Sequence, residues 1–279
     1  MSKYLNLGCG GRFHPAWTNV DMAPVDDSVI RHNLRRPLPF AAGTFDAVYH
    51  SHVLEHLGQD DAATFVRECY RVLRPGGVVR IAVPNLETIA RLYLLTLERA
   101  LNGDQQARAD HHWMLIEMFD QTVRTRSGGN MAAYLRQPAL PNESFVLQRM
   151  GAEGRSIMGR DTETSATIRH RRKRPIHETI ANKARKALRW IREPLLRLLL
   201  GNEDQALQVG RFRLAGEIHQ WMYDRLSLAE LLHEAGFTSA REVSPDDSSI
   251  ARWRDFNLDV EENGAVRKPD SLYMEAIKP

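Results

Sequence analysis

Short apolar runs separated by turn residues fill the first 83 positions, and their order constrains the fold more than any other feature of the chain. Runs of strand length lie at residues 4–7, 18–21, 29–34, 45–50 and 78–83. Apolar residues at helical spacing separate the last two runs, and Pro75-Gly76-Gly77 ends that helix. Strand, helix and strand in this order predict a mostly parallel sheet with right-handed crossovers.

Helical patterns follow the fifth run. One helix begins near Glu87, and a second has an apolar face that ends before Gly128-Gly129 and consists of Leu115, Met118, Phe119, Thr122 and Val123. From residue 138 to 216 the sequence is polar and rich in arginine, so we expect loops and short helices. We therefore predict a helical and basic insertion at residues 86–216.

Regular patterns return near His219. A short helix is predicted around Leu231, capped by Ser227 and ended by Gly236, followed by strands at residues 238–243 and 271–277. These elements complete a core made of residues 1–85 and 217–279.

Composition sets the class of protein. Of 279 residues, 43% are hydrophobic and 26% are charged, which is typical of a soluble globular domain and excludes a largely disordered chain. The apolar stretch at residues 195–200 is too short to cross a bilayer. Cys9 and Cys69 cannot form a disulfide framework, and no signal peptide pattern precedes the first strand. We expect a cytoplasmic protein.

A glycine-rich turn, Gly8-Cys9-Gly10, directly follows the first strand. Glycine lets a ligand approach the backbone closely, and such a turn lies at the carboxyl ends of parallel strands, where ligands bind. The dinucleotide pattern needs a third glycine where this chain has Phe13, so a nucleotide without a pyrophosphate fits better. Asp21 ends the next strand, where a carboxylate can accept hydrogen bonds from a ribose diol. The alternative is that Asp21 is a simple turn residue.

The combined motifs resemble a class I S-adenosylmethionine-dependent methyltransferase. The resemblance covers residues 3–85, resumes from His219 to the end, and is carried by Leu5-Asn6-Leu7-Gly8-Cys9-Gly10, Asn19-Val20-Asp21, Leu38-Pro39-Phe40, Phe45-Asp46-Ala47-Val48, Val53-Leu54-Glu55-His56, Arg71-Val72-Leu73-Arg74-Pro75-Gly76-Gly77 and Leu231-Leu232-His233-Glu234-Ala235-Gly236-Phe237. The chain is most similar to a bacterial subgroup often linked to cell-surface polysaccharide synthesis. The resemblance implies an α/β, Rossmann-like, mostly parallel seven-stranded sheet with an antiparallel last strand and a large helical insertion.

The resemblance also implies the cofactor, S-adenosylmethionine, and the residues that bind it. The glycine turn would contact the methionine part, Asp21 the ribose, Asn33 with Leu34 the adenine, and Ser51 with His52 the region beside the sulfonium. Leu7 and Met22 complete the expected cofactor-binding set. Two positions depart from the family pattern: Asn6 replaces the usual acid, and Arg12 replaces the third glycine.

Methyl transfer needs a base only when the acceptor is a hydroxyl or a similar group. We predict His52, His219 and Asp120 as catalytic candidates, since histidine accepts a proton near neutral pH. Other candidate bases are His50, His56 and Asp224, for which packing or helix capping is the alternative. His52 and His56 have the i, i+4 spacing of a metal pair, but no third ligand is evident, so no metal is predicted.

Given this resemblance, the helical and basic insertion at residues 86–216 is expected to act as an acceptor-binding lid and so to determine acceptor specificity. On its second helix Glu117, Asp120, Gln121 and Arg124 are placed opposite the apolar face, where Asp120 can pair with Arg124. This surface suits a hydroxyl-rich or anionic acceptor, and solvated ion pairing is the alternative. Trp221 and Tyr223 could stack on a sugar or could simply pack.

Basic residues concentrate in one segment. From Arg169 to Arg197 there are eleven Lys or Arg residues against Glu178 and Glu193. Such a segment could be a solvated surface, a peripheral contact with an anionic membrane, or, least expected, a nucleic-acid contact. We expect the transfer of a methyl group to a small-molecule or carbohydrate-linked acceptor, with an oxygen as the methylated atom. The alternatives are a lipid-linked acceptor at the membrane surface and a non-catalytic binding protein with the same fold.

Overall fold

A seven-stranded sheet forms the centre of the computed structural model, which describes residues 2–159, 201 and 203–279. The strands are β1 (Tyr4–Leu7), β2 (Trp17–Asp21), β3 (Ile30–Arg31), β4 (Phe45–Ser51), β5 (Leu73–Pro84), β6 (Thr238–Glu242) and β7 (Ser271–Ile277). Their order is β3-β2-β1-β4-β5-β7-β6. The first five strands are parallel, and β7 is antiparallel to both of its neighbours. The predicted Rossmann-like sheet with its antiparallel last strand is confirmed.

Seven α-helices accompany the sheet in the described part of the chain. They are α1 (Gln59–Val72), α2 (Leu86–Leu101), α3 (Gln105–Val123), α4 (Gly129–Leu135), α5 (Glu143–Ile157), α6 (Glu203–Leu214) and α7 (Arg225–Glu234), with 3-10 turns at Leu54–His56 and Trp253–Phe256. Within these residues no helix combines the length and the apolar composition that crossing a bilayer requires. The basic segment from Arg169 to Arg197 lies outside the described residues.

The helix α1 shows how the sequence builds the main core. Its buried residues recur at helical spacing and face the sheet, where they meet the aliphatic side chains of β1, β4 and β5. Acidic residues lie in its first turn and Arg71 in its last, which complements the helix dipole. β5 follows without a loop, because Leu73 already pairs with Phe45, so this strand begins earlier than the predicted residue 78.

The first crossover, between β1 and β2, contains no helix. Residues 8–16 form turns, as their short length predicts. The third strand is also shorter than its apolar run suggests: only Ile30 and Arg31 pair with β2.

The described part of the insertion is helical and has a hydrophobic core of its own. This second core contains Ile89, Trp113, Met114, Met131, Tyr134, Leu135, Leu140, Val146 and Met150. The inserted helices therefore pack mainly on one another, and α2 contacts α3 along its length.

The buried face of α3 is not the predicted one. Phe119 and Val123 are exposed, whereas Trp113, Glu117 and Asp120 are buried. The reason is that both acids find partners inside the insertion. The Glu117 carboxylate accepts hydrogen bonds from Trp113 Nε1 at 2.9 Å and from Arg149 Nη2 at 2.6 Å. The expectation of a polar surface on this side of the helix was wrong.

Two helix ends also differ from the expectation. The helix α3 ends at Val123 rather than at the glycine pair, and Gly128 instead precedes α4. The helix α7 is capped by Asp224, whose carboxylate accepts a hydrogen bond from the Ser227 N–H at 2.8 Å. The Ser227 hydroxyl in turn accepts a hydrogen bond from the Asp224 N–H. Ser227 is thus the second member of a capping box and not the cap itself.

The long connection between β6 and β7 is fixed to the sheet by one arginine. Arg80 on β5 is fully buried and pairs with Asp259 at 2.8 Å and with Glu275 at 3.0 Å. Its guanidinium lies 4.4 Å from the centre of the Trp253 ring and donates to backbone carbonyls of residues 244, 245 and 247. This network holds the connection against the face of the sheet beside the glycine turn.

Candidate functional site

The glycine turn after β1 is held in a conformation that suits glycine. Gly8 and Gly10 have φ angles of +67° and +52°, and a Cβ on Gly8 would lie 2.3 Å from Val53 Cγ2. The N–H groups of Gly8 and Cys9 both donate to the Val20 carbonyl, which fixes the turn to the end of β2. No heavy atom lies within 4 Å of a Cβ placed on Gly10, so its backbone is open to a ligand.

Asp21 faces this turn. Its Oδ2 accepts a hydrogen bond from the Gly10 N–H at 2.8 Å, and its Oδ1 accepts from the Ala23 N–H at 2.7 Å. Each carboxylate oxygen has more than one lone pair, so both can accept a further hydrogen bond. The side chain is half-buried at the carboxyl edge of the sheet. It therefore lies where a ribose held by the turn could reach it.

A cleft opens beside the turn. Its lining residues come from β1, the turn, β4 and the connection between β6 and β7, and they are Asn6, Gly8, Cys9, Arg12, Tyr49, Ser51, Leu258, Arg267 and Lys268. Arg12 ties the turn to that connection, because its guanidinium lies 2.9 Å from a Glu261 oxygen and donates to the Val260 carbonyl at 3.0 Å. Lys268 pairs with Glu153 of the insertion at 2.8 Å. The glycine turn, the connection between β6 and β7, and the insertion thus meet at the cleft.

Sequence reasoning missed the residues that the last connection contributes. Leu258, Arg267 and Lys268 carry no local motif, and they reach the cleft only because the Arg80 network folds their segment over the sheet. No signal in a single sequence marks them as lining residues.

The amide nitrogen of Asn6, at the base of the cleft, is bonded within the protein. Asn6 is buried and donates from Nδ2 to Asn19 Oδ1 and to the Arg12 carbonyl, both at 3.1 Å. An uncharged amide does not supply the charge that an acid would give at this position. Burial, and to a smaller extent the charge of Asp21, raises the pKa of the Cys9 thiol to about 12, so this thiol is neutral.

The expected cofactor residues divide into groups. Gly8, Cys9 and Ser51 line the cleft, and Gly10 and Asp21 adjoin it through their mutual hydrogen bond. The Leu7 side chain lies in the main core, which leaves its backbone alone for a ligand. The other four expected residues are not among those that line the cleft: Met22 and Asn33 are exposed, Leu34 packs against the core, and His52 contacts Glu55 and Ser271 instead.

A histidine and glutamate cluster follows β4. His52 has a φ angle of +53°, and its ring links two elements: Nδ1 lies 3.0 Å from Glu55 Oε1, and Nε2 lies 2.8 Å from Ser271 Oγ. His219 Nε2 lies 4.0 Å from the same Glu55 oxygen. The rings of His56 and His219 are 4.9 Å apart between centroids. Sequence reasoning selected both His52 and His219, but it did not select Glu55, which stands between them.

Burial dominates the protonation of this region. Burial lowers the pKa of His219 to about 3 and that of His50 to about 4, so both imidazoles are neutral at pH 7. Burial opposes the ionisation of Glu55, but the neighbouring histidines, His52 foremost with His219 and His56, together outweigh it and hold the Glu55 pKa at about 2. His50 packs edge-on against Phe65 and is fully buried, which agrees with a packing role.

Three further candidates have structural partners. Asp120 accepts from the Asn130 N–H at 2.7 Å and from the Met131 N–H at 3.2 Å, so it caps α4. The expected Asp120–Arg124 side-chain pair is not seen, because Arg124 instead lies 3.3 Å from Glu217. Asp224 caps α7. Of the two aromatic candidates, Tyr223 lies in the main core and Trp221 is 42% exposed.

The sheet order, the glycine turn and the acidic end of β2 define a Rossmann-like nucleotide-binding fold of the methyltransferase type. Residues 5–81 match the family described as a methyltransferase domain. A curated Mycolicibacterium smegmatis protein named as an S-adenosylmethionine-dependent methyltransferase is 46% identical over 61 residues. That match covers 22% of this chain and 23% of the relative, so the chain spans about a quarter of the curated relative that it matches.

The chain is also similar to solved structures at low identity. A methyltransferase in a Haloferax volcanii complex with the Trm112 methyltransferase activator is 11% identical, with 100% of this chain and 83% of that chain covered and a TM-score of 0.39. A SAM dependent methyltransferase from Archaeoglobus fulgidus is also 11% identical, with 99% and 86% covered and a TM-score of 0.37. Residues 5–81 are therefore similar to a methyltransferase domain, and the curated relative that matches this region is named for its dependence on S-adenosylmethionine.

Proposed function

We propose that this protein transfers a methyl group from S-adenosylmethionine to a hydroxyl of a small-molecule or carbohydrate-linked acceptor. The observation that carries the proposal is the hydrogen bond between Gly10 and Asp21, which places a carboxylate with free lone pairs beside an open glycine turn. The acceptor class follows from the resemblance to methyltransferases linked to cell-surface polysaccharide synthesis.

The residues of the cleft fit the cofactor. Asp21 would accept hydrogen bonds from the ribose hydroxyls, and the open backbone at Gly10 permits close approach. Arg267 adds positive charge to the cleft, which complements the carboxylate of the methionine part, whereas the charge of Lys268 is already paired with Glu153. When bound, the cofactor supplies an electrophilic methyl group on a sulfonium.

His52 is the best-placed proton acceptor. Its Nδ1 lies 3.0 Å from Glu55 Oε1, so the carboxylate would stabilise the imidazolium that forms when Nε2 takes the proton of an acceptor hydroxyl. Ser271 Oγ lies 2.8 Å from Nε2, so the serine hydroxyl either relays this proton or turns aside. His219 is a weaker base at neutral pH, because burial lowers its pKa to about 3.

A lipid-linked acceptor at the membrane surface is a second candidate. It is favoured by the eleven Lys or Arg residues between Arg169 and Arg197, which would attract anionic lipid. Co-sedimentation with anionic and neutral vesicles tests it, and binding that is equal for both would argue against it.

Calorimetry with S-adenosylmethionine tests the main proposal. We expect Asp21→Asn and Asp21→Ala to weaken binding by roughly tenfold or more, because one lost hydrogen bond to a charged group is worth about 1.5–3 kcal/mol. Asp60→Ala, at an exposed position in the first turn of α1, is the matched control and should bind normally. Absence of binding by the unaltered chain, or binding unaffected by both Asp21 variants, would remove the basis of the proposal.

Transfer itself needs a separate measurement. A labelled-methyl assay across nucleotide sugars, glycans and lipid-linked saccharides should identify the acceptor. Binding of the cofactor without transfer to any member of such a panel would favour a non-catalytic binding protein.

A further inference from the structure

Three side chains that are distant in sequence come together after β4. One ligand-capable atom from each of Glu55, His56 and His219 lies within 4.8 Å of the other two. Glu55 and His56 belong to the 3-10 turn Leu54–His56, and His219 arrives from the end of the insertion. We propose that these three side chains bind one divalent transition-metal ion.

The buried carboxylate of Glu55 is the main evidence for a bound cation. Its exposed fraction is 0%, and neither oxygen has a hydrogen-bond donor of good geometry among the described residues. His52, 3.0 Å from Oε1, is its nearest charge-compatible neighbour. A buried carboxylate without adequate partners is costly, and a cation beside it removes that cost.

The ring of His56 is oriented as in a metal-binding histidine. His56 Nδ1 lies 3.0 Å from the Ile218 carbonyl, so the Nδ1 proton is directed there and Nε2 is left with a free lone pair. Metal-binding histidines commonly donate their other ring proton to a carbonyl in this way.

Backbone hydrogen bonds fix His219 beside the other two ligands. Its own N–H donates to the Gln121 carbonyl at 2.9 Å, and the next N–H, of Gln220, donates to the Glu55 carbonyl at 2.7 Å. The Gln220 side chain also donates to the His56 carbonyl at 2.9 Å. The segment is thus attached on both sides of His219, so the cluster is built into the fold.

The ligand set indicates the class of metal. Two imidazole nitrogens and one carboxylate suit Zn²⁺, Fe²⁺, Mn²⁺ or Co²⁺, whereas Mg²⁺ and Ca²⁺ prefer oxygen ligands. Ligands about 2.1 Å from a tetrahedral ion are about 3.4 Å apart, so the 4.0 Å between Glu55 and His219 would close by roughly 0.6 Å on binding. Three protein ligands leave an open position, as in catalytic sites.

The open position gives the ion a role in the proposed methyl transfer, and this part of the inference rests on the proposed function. An acceptor hydroxyl bound there would lose its proton more easily, because a metal ion lowers the pKa of an oxygen that it binds. His52 would take that proton. The acceptor oxygen then forms a bond to the methyl carbon while the carbon–sulfur bond breaks, and the sulfonium becomes a neutral thioether.

Metal binding can be measured without methyl transfer. The full chain, without an affinity tag, is stripped with EDTA, dialysed and titrated with Co²⁺ alone, with visible absorption as the signal and elemental analysis for stoichiometry. We expect one ion per chain. Glu55→Gln and His219→Gln should each weaken Co²⁺ binding at least 100-fold, and His233→Gln, at an exposed position in α7, should leave it unchanged.

Two outcomes overturn the metal site: less than about 0.2 ion per chain, or Co²⁺ binding that survives in both ligand variants. If Glu55→Gln does not fold, His56→Gln, at a half-buried position, replaces it in the same titration. Calorimetry of the EDTA-treated chain with S-adenosylmethionine separates the two proposals. Co²⁺ binding without cofactor binding would support the metal site and refute the proposed function, and cofactor binding without Co²⁺ binding would do the reverse.

Discussion

Replacing Arg80 by methionine should destabilise this protein more than any other single change considered. Methionine fills a similar volume but removes the charge that faces Asp259 and Glu275, which are only 3% and 2% exposed. Breaking a buried ion pair by removing one partner costs about 3–5 kcal/mol. Arg80 serves two carboxylates and three backbone carbonyls at once. We therefore expect a loss of about 5 kcal/mol, near the upper limit of that range.

Arg74→Met is the matched control, since Arg74 lies on the same strand and also pairs with an acid, Asp46. Its side chain is 60% exposed, and exposed pairs contribute about 0–1 kcal/mol. Urea denaturation at pH 8, followed by circular dichroism, measures both variants. A loss for Arg80→Met that is below about 1.5 kcal/mol, or equal to that of Arg74→Met, would refute the reasoning.

The loss caused by Arg80→Met should also depend on pH. Burial raises the pKa of Asp259, while the charge of Arg80 opposes this increase, so removing Arg80 raises that pKa further. The folded variant then binds more protons than the folded parent protein, and its relative stability increases as pH falls. The difference in unfolding free energy between the two proteins should be larger at pH 8 than at pH 5. A difference that grows toward pH 5 would contradict this assignment.

Two smaller changes separate the cofactor site from the insertion. Gly8→Ala should weaken S-adenosylmethionine binding in calorimetry by roughly tenfold, because a positive φ costs other residues about 1–2 kcal/mol and the new Cβ would meet Val53. Adding Val53→Ala should restore part of the affinity, and no restoration would exclude the Val53 contact as a cause. Asp120→Ala should lower the unfolding free energy by about 1–2 kcal/mol through loss of the α4 cap, with unchanged cofactor affinity. Thermal unfolding and calorimetry check both parts, and a lost affinity at full stability would instead return Asp120 to the site.

The sheet could be predicted because its signals are local. Each strand from β1 to β5 coincides with an apolar run of its own, and the segments between these strands contain glycine or proline. Hydrophobic periodicity failed on α3, however, because it assumes that acids face water. Glu117 and Asp120 are buried since Arg149 and the start of α4 supply their hydrogen bonds, and both partners lie beyond the helix in sequence. A pattern within one helix does not contain that information.

The candidate site likewise contains residues that the local sequence marks and residues that only the fold brings together. The turn at Gly8 and the acid at Asp21 are visible in sequence because adjacent parallel strands bring their carboxyl ends together. His52 and His56 have the spacing of a metal pair, but no third ligand was evident in the sequence and no metal was predicted. His219 was predicted only as a base and Glu55 was not a candidate, because the fold alone brings both beside His56. The burial of Glu55 is what makes this cluster unusual.

Ser271 and His52 connect the two long-range closures of this fold. The Arg80 network brings the segment before β7 over the cleft, and the hydrogen bonds of Gln220 bring the end of the insertion onto the turn after β4. The 2.8 Å contact between His52 Nε2 and Ser271 Oγ lies where these closures meet. His52 therefore contacts the segment held by Arg80 and lies near the segment that Gln220 attaches to the Glu55 carbonyl. Because neither segment belongs to residues 5–81, acceptor choice is expected to vary among chains that share the matched domain.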